Sequence, residues 1–297
     1  MRNAFIQELV AAATHRPEVF LIVGDLGYSV VEPFADRFPD RFLNAGVAEQ
    51  NMMGLAAGMA SEGFHVFVYS IGNFPTFRCA EQLRNDVDYH RLPVTVVAVG
   101  GGLAYGNLGY SHHTVQDYAL IRAMPNVLIA SPGDPNEVRA CVRYLCDHPQ
   151  PSYLRLGKAG EPNFHATVPE VDPGRWVRVA PARRQDSGKV LLSTGTALEQ
   201  AMALAASDGY ADHSVWTLPL WGSAFKRAQP AQLGRVRAVM TLEDHLHDGG
   251  FGSWMLEAAS ADGAPPGLVS CRALDPRVCG TVGSQSMLNA YGGLSVA

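Results

Sequence analysis

The sequence predicts an α/β fold built of two doubly wound domains, and three observations lead there. Short β-branched runs alternate with longer stretches of helical period, the pattern of parallel strands joined by crossover helices. At 297 residues the chain has the length of two domains at roughly 150 residues each. One stretch, residues 157–188, breaks the alternation with proline, glycine and mixed charge, including Glu161-Pro162 and Asp172-Pro173-Gly174. A first domain over residues 1–165, a linker over 166–187 and a second domain over 188–297 follow.

Residues 1–8 mix polar and apolar side chains and read as an ordinary helix, not a signal peptide. Residues 19–24 are the first strand. Residues 49–59 carry apolar side chains at helical spacing, with Gly54 and Gly58 allowing close packing, and 66–69 follow as a strand. Residues 78–87 read as a helix, Val94–Val99 as a strand, 100–109 as a glycine-rich loop, and a helix begins near Thr114. Strands over 127–130 and Ser152–Leu156 complete the first domain. Beyond the linker come strands at Lys189–Ser193, 214–218 and 238–242, a helix over 197–206 and another after Gly252.

Composition excludes several classes of function. Hydrophobic residues make up 47% and charged ones 17%, the profile of a folded α/β protein and not of a disordered tail or coiled coil. A formal charge of -5, with the dense basic run Arg183-Arg184 confined to the expected linker, argues against a nucleic-acid binder. The five cysteines, Cys79, Cys141, Cys146, Cys271 and Cys279, are odd in number and form no Cys-x-x-Cys pair. That points to reduced, cytoplasmic thiols and no metal site in this chain. No apolar run reaches membrane-spanning length.

The stretch Asn44-Ala-Gly-Val-Ala-Glu49-Gln-Asn-Met-Met-Gly54 places a carboxylate at the start of a helix whose inward positions are otherwise apolar or small. By spacing alone, Glu49 reads as a helix N-terminal carboxylate complementing the macrodipole. Its neighbours open a second reading, because they resemble the pyrimidine-binding region of transketolase-like enzymes, where Gly-Val-x-Glu-(His/Gln) supplies the glutamate that activates thiamine diphosphate. Further stretches fall in the order of that family: Val-Gly-Asp25-Leu, Phe74 and Phe77 before Arg78-Cys-Ala-Glu-Gln-Leu-Arg84, and Gly-Asn107-Leu-Gly-Tyr-Ser-His112-His113. Arg122-x-x-Pro-Asn126, Pro132-Gly-Asp-Pro-Asn-Glu137, Pro151-Ser-Tyr-Leu-Arg155 and, in the second domain, Thr241-Leu-Glu-Asp-His245 with Gly249-Gly-Phe-Gly-Ser253 extend the series. The resemblance spans nearly the whole chain.

It implies a pyrimidine-binding domain followed by a transketolase C-terminal domain, with a role for each matching residue. Glu49 would hydrogen-bond the ring nitrogen N1′ from a largely apolar setting and promote the imino tautomer. Phe74 and Phe77 would form a stacking wall, with Ile71 at the third position of the family's aromatic cluster. His112, and beside it His113, would assist proton movement at the substrate oxygen. Asp25, at the end of the first strand, would contact the cofactor. Ser29, Asn107, His112 and Lys158 would contact substrate, Lys158 standing where the family carries an arginine. Read from spacing alone, the two Phe are core, the histidine pair a polar loop and Asp25 a turn residue.

Two look-alikes are set aside. Gly24-Asp25-Leu26 with Asn51 lacks the third glycine of the family's metal and diphosphate motif, and Gly100-Gly-Gly-Leu-Ala-Tyr-Gly lacks the Lys-Ser/Thr of a P-loop. Nothing in the 297 residues resembles the family's diphosphate domain. The resemblance therefore implies a partner subunit that binds the diphosphate and Mg²⁺, in an α2β2 assembly. The family's acidic Gly-x-Gly-Glu-Asp-Gly is Gly106-Asn107-Leu108-Gly109 here, and its phosphate-binding histidine falls near Gly100. These departures suit a modified donor or acceptor, an unusual or nucleotide-linked sugar of secondary metabolism, in the transfer of a two-carbon unit. Two other readings stay open: a β-subunit of a 2-oxo-acid dehydrogenase or acetoin-type thiamine enzyme, and a non-catalytic regulatory homologue.

Overall fold

The computed structural model describes residues 1–261, 263, 265 and 267–295. Strands β1 (Val19–Val23), β2 (Phe42–Asn44), β3 (His65–Ile71), β4 (Val94–Val99), β5 (Leu128–Ala130) and β6 (Ser152–Leu156) pair in parallel in one sheet. Around it pack helices α1 (Arg2–Ala13), α2 (Glu32–Arg37), α3 (Glu49–Ser61), α4 (Ala80–Gln82), α5 (Asp117–Ile121) and α6 (Pro135–Asp147). A second sheet holds β7 (Val177–Ala180), β8 (Lys189–Ser193), β9 (His213–Thr217), β11 (Ala238–Leu246) and β12 (Val269–Leu274), while β10 (Leu220–Trp221) crosses back to pair antiparallel with β5. Its helices include α7 (Leu198–Ala206), α8 (Gln229–Leu233), α9 (Phe251–Ala261) and α10 (Gln285–Tyr291).

The first sheet runs in the order β10-β5-β6-β4-β3-β1-β2, the second β12-β11-β8-β9-β7. All six residues of the central β4, Val-Thr-Val-Val-Ala-Val, are buried, as expected of a parallel strand covered on both faces. Strand β3 divides its side chains by the period of two: Val66 and Val68 enter one core layer, Phe67 and Tyr69 the other. Asp134 starts α6 by accepting from the Glu137 amide at 2.7 Å, with Pro135 at the first helical position.

Several elements depart from the sequence expectation. The helix expected over 78–87 tightens to a 3-10 turn at Phe77–Cys79, is α-helical only at Ala80–Gln82, and widens to a π-helix at Leu83–Asp88. The helix expected from Thr114 begins at Asp117, because Thr114 instead bridges Gly102 across the glycine-rich loop. Within the stretch read as a linker, β7 is an edge strand antiparallel to β9; its Val-Arg-Val-Ala alternation is short and flanked by turn residues, which hid it. The short β2 and β10 and the polar β12 also carry too little periodicity to be read.

The chain passes from β1 to β2 on one side and then to β3 on the other. The loops after β1 and β3 therefore part at the carboxyl edge and leave the crevice where open α/β sheets bind ligands. Among the described residues, no helix is long and apolar enough to cross a membrane.

Candidate active site

The residues singled out by sequence follow the carboxyl ends of β1, β2, β3, β4 and β6, so the topology gathers them on one edge of the first sheet. Glu49 opens α3 with 4% of its surface exposed, beside Gly24 of the loop after β1, where an added Cβ would lie 3.8 Å from Glu49 Cγ. It borders an open hollow of about 460 Å³ lined by Val47, Ala48, Glu49, Gln50, Asn51 and Arg78.

The surroundings of Glu49 are not the largely apolar ones expected. Arg78 Nη1 donates to Glu49 Oε2 at 3.0 Å, and the same guanidinium lies over the Phe74 ring, 4.1 Å from its centroid, a cation–π contact. A carboxylate and an aromatic face are thus spaced to receive one flat, nitrogen-bearing group, which is what an aminopyrimidine ring is. Phe74 in turn meets His112 edge-on, with ring centroids 5.3 Å apart. Phe77, 47% exposed, lines a neighbouring hollow of about 390 Å³ with Asn73, Tyr110, Ser111 and Gln116. Ile71 closes β3 on the approach to Phe74.

The two histidines of the glycine-rich loop separate. His112 stands in the row, its Nδ1 2.9 Å from Ser111 Oγ. Partial burial lowers its pKa first, the charge of Arg78 second and His113 third, so its neutral form is favoured. His113 turns inward and is fully buried, with Nε2 3.3 Å from the Gly106 carbonyl and Nδ1 without a partner among the described residues. Asn107 is exposed on the short helical turn at Gly106–Leu108.

Beyond His112 the row continues to Tyr105, ring centroids 6.4 Å apart, and to Lys158, whose Nζ lies 5.3 Å from the Tyr105 centroid. Tyr105 fills the space over Gly100: a Cβ there would lie 2.1 Å from the tyrosine ring. Arg2, at the start of α1, donates to the Lys158 carbonyl, which brings a second cation to that end.

Asp25 adopts a left-handed conformation, φ 55°, one that aspartate tolerates better than most residues. Asn44 Nδ2 donates to its Oδ1 at 2.9 Å and the Tyr28 hydroxyl at 3.0 Å, and these bonds, Asn44 first, hold its pKa below the usual value. Ser29, also at positive φ, 65°, donates its amide to Glu32 Oε1 at 2.7 Å.

The structure thus strings Glu49, Phe74, His112 and Lys158 along one edge, sets Asp25 and Ser29 on the adjacent loop, and turns His113 away. Sequence reading missed Arg78, Tyr105, Arg2 and Asn44. For Arg78 a signal existed, since it follows Phe74 by four residues, a spacing that stacks side chains on a helix. The others meet the site only through the fold. A larger hollow of about 880 Å³ is lined by Arg84, Tyr89, Arg91 and Asn126 among others, but none of the residues given a catalytic, cofactor or substrate role lines it. Among the described residues, no three His, Cys, Asp or Glu side chains group as a metal site.

Comparison with known proteins bears on this edge. Residues 1–160 match the model of the transketolase pyrimidine binding domain. The chain is 29% identical to a subunit of the apulose-4-phosphate transketolase of Phocaeicola vulgatus over 276 residues, covering 90% of this chain and 86% of that one. It is also 29% identical to a transketolase C-terminal section of Methanocaldococcus jannaschii, covering 99% and 92%. Among solved structures it superposes on a split-gene transketolase in an inactive β4 tetramer with a TM-score of 0.81, at 29% identity, covering 99% of this chain and 93% of that chain.

Proposed function

Because the chain belongs to the transketolase pyrimidine-binding-domain family, we propose that it is the small subunit of a split, thiamine-diphosphate-dependent transketolase. In this reading it transfers a two-carbon ketol unit to a sugar acceptor when joined to a subunit that holds the diphosphate and Mg²⁺. The observation that carries it is Glu49: a buried carboxyl opening on the switch-point crevice, with an aromatic face one planar group away. The naming of a relative as one subunit of a transketolase supports the partner.

Thiamine diphosphate, when bound, would supply a nucleophilic ring carbon able to carry the two-carbon unit. Glu49 would hold a proton toward the pyrimidine ring nitrogen from its buried position at the start of α3. Phe74 supplies the flat apolar face, and Asp25, fixed by Asn44 and Tyr28, borders the ring's entry from the loop after β1. His112, kept largely neutral, can take or give a proton at the substrate oxygen. Lys158 and Arg2 form the cationic end, suited to an anionic tail on the sugar, while Ser29 and Asn107 flank the approach. His113 braces the loop through Gly106.

Leu108 stands where the family's acidic pair would place a carboxylate and is exposed. With Tyr105 over Gly100, this favours a modified sugar substrate, which we place in carbohydrate or secondary metabolism. An α2β2 assembly in the cytoplasm, with a pyrimidine-binding domain over 1–165, a connector over 166–187 and a C-terminal domain over 188–297, completes the proposal.

The test is co-expression with a subunit carrying the family's Gly-Asp-Gly diphosphate motif. The purified pair should transfer a two-carbon unit to a sugar acceptor and not to lipoamide, which separates it from a 2-oxo-acid dehydrogenase subunit. Glu49→Ala in that pair should lower turnover by roughly 10²–10⁴-fold, the usual weight of a general acid–base group. Unchanged turnover would remove Glu49 from the chemistry.

A further inference from the structure

Arg78 makes both of the contacts that the reading above assigns to the cofactor's ring. Its guanidinium is flat, donates to Glu49 Oε2 at 3.0 Å, and lies 4.1 Å from the Phe74 centroid. A heterocycle bonded to Glu49 Oε2 and stacked on the same face of Phe74 would occupy the space the guanidinium holds. We propose that Arg78 is a built-in stand-in for the pyrimidine: it fills the ring's seat in the unassembled chain and must swing out before a heterocycle enters, an inference that rests on the reading of Glu49.

Physical chemistry accounts for both the contact and its release. Glu49 is 4% exposed, and a carboxylate so placed is costly without a partner; in the lone chain the guanidinium is that partner. The two members are unequally held. The Arg78 side chain is 50% exposed and borders the open hollow of about 460 Å³, so it can turn into solvent on its aliphatic stem while Glu49 stays with α3. Seating a ring therefore costs an ion pair and a cation–π contact, each modest at a half-exposed site. The lone subunit is held closed, but weakly enough for the cofactor, gripped elsewhere by the partner, to displace the arginine. Arg78 also helps keep His112 neutral, so the same swing removes a cation from beside the histidine.

The competing role is a fixed wall in which Arg78 orients Glu49 for the ring, and the sign of one effect separates the two. Thiamine, which carries the pyrimidine without the diphosphate, is titrated into the full chain alone, with binding read by ligand-observed NMR. Arg78→Ala should bind thiamine roughly tenfold more tightly than the wild type, a ratio equivalent to ~1.4 kcal/mol. Arg78→Lys, which keeps the charge but loses the flat stack, should fall between them. In the wild type, saturating thiamine should shift the Arg78 side-chain Nε–H resonance toward that of a free arginine, a readout that does not depend on any variant folding. Weaker or equal binding by Arg78→Ala, no binding by any form, or an unmoved Nε–H resonance on saturation overturns the proposal. Adding Glu49→Ala to Arg78→Ala should abolish the gain. If the gain survives, the reading of Glu49 fails; if Glu49 matters but Arg78→Ala does not gain, only the stand-in role fails.

Discussion

Two arginine–carboxylate sites in this chain are built from the same groups to opposite ends. At the junction of the two sheets, Arg155 of β6 is buried. Its Nε donates to Asp117 at 2.8 Å, its Nη1 to Asp244 at 2.5 Å and its Nη2 to the Thr114 carbonyl at 2.7 Å. Tyr153 and Thr196 donate to the same two carboxylates, each at 2.6 Å. Burial pulls the guanidinium's pKa down, but Asp117 and Asp244 outweigh it and hold it well above the ordinary value. Gly102 has to be glycine there, at φ 64°, because a Cβ would lie 2.4 Å from Asp244 Oδ2. At the carboxyl edge, by contrast, Arg78 has one carboxylate and one ring, and half of its side chain faces solvent. A network with nearly every donor placed fixes architecture; one left open beside a hollow is free to exchange partners.

The largest expected effect on stability comes from breaking the closed site. Arg155→Met leaves Asp117 and Asp244 buried without their cation and should cost about 3–5 kcal/mol in chemical denaturation. A loss below ~1 kcal/mol would mean that the junction is wetter or looser than its hydrogen bonds indicate.

A second junction holds a histidine between two carboxylates. His165 donates its amide at 2.7 Å and its Nδ1 at 3.0 Å to Asp134 Oδ2, beside buried Glu137, which bonds Thr217 of β9. Burial lowers the His165 pKa, but Asp134 and then Glu137 raise it by more, to a net value above the ordinary 6.5. The folded state therefore holds the proton longer than the unfolded one. The stabilisation is complete below the unfolded pKa and is lost as pH rises through the folded one. Melting temperature should fall as pH rises above the ordinary histidine value of 6.5 in the wild type and fall less in His165→Gln; equal slopes would show that the histidine does not carry the effect.

The smallest effect is expected at the open site. Arg78→Ala should cost about 1–2 kcal/mol of stability, less than Arg155→Met, because a single carboxylate loses its cation and that carboxylate borders an open hollow from which water can reach it. A cost approaching that of Arg155→Met would make Arg78 architectural and erase the contrast between the two sites.

Much of this molecule was legible without coordinates. Val94–Val99, Ser152–Leu156 and Lys189–Ser193 stand where the sequence placed them, most plainly Val94–Val99, whose continuous apolar run is what burial on both faces of a parallel strand demands. Glu49 was legible as an anomaly, a carboxylate at the mouth of an apolar helix, and the ordered motifs around it identified the family. Less visible were elements whose existence depends on a neighbour: β7, meaningful only against β9; β10, two residues long and paired with β5; and the π-helix at Leu83–Asp88. A short segment gains its hydrogen bonds from partners remote in sequence, so no local period announces it.

By itself, then, the sequence determined the α/β class, the central strands and the carboxylate most in need of explanation, since these follow from local period and residue chemistry. Only the tertiary structure decided that His112 faces the crevice while His113 is buried, that Tyr105 lies over Gly100, and that Arg78 closes on both Glu49 and Phe74. Adjacent residues in a loop carry no period to set their direction, and a long cationic side chain finds its partner only once folding has fixed where the carboxylates lie.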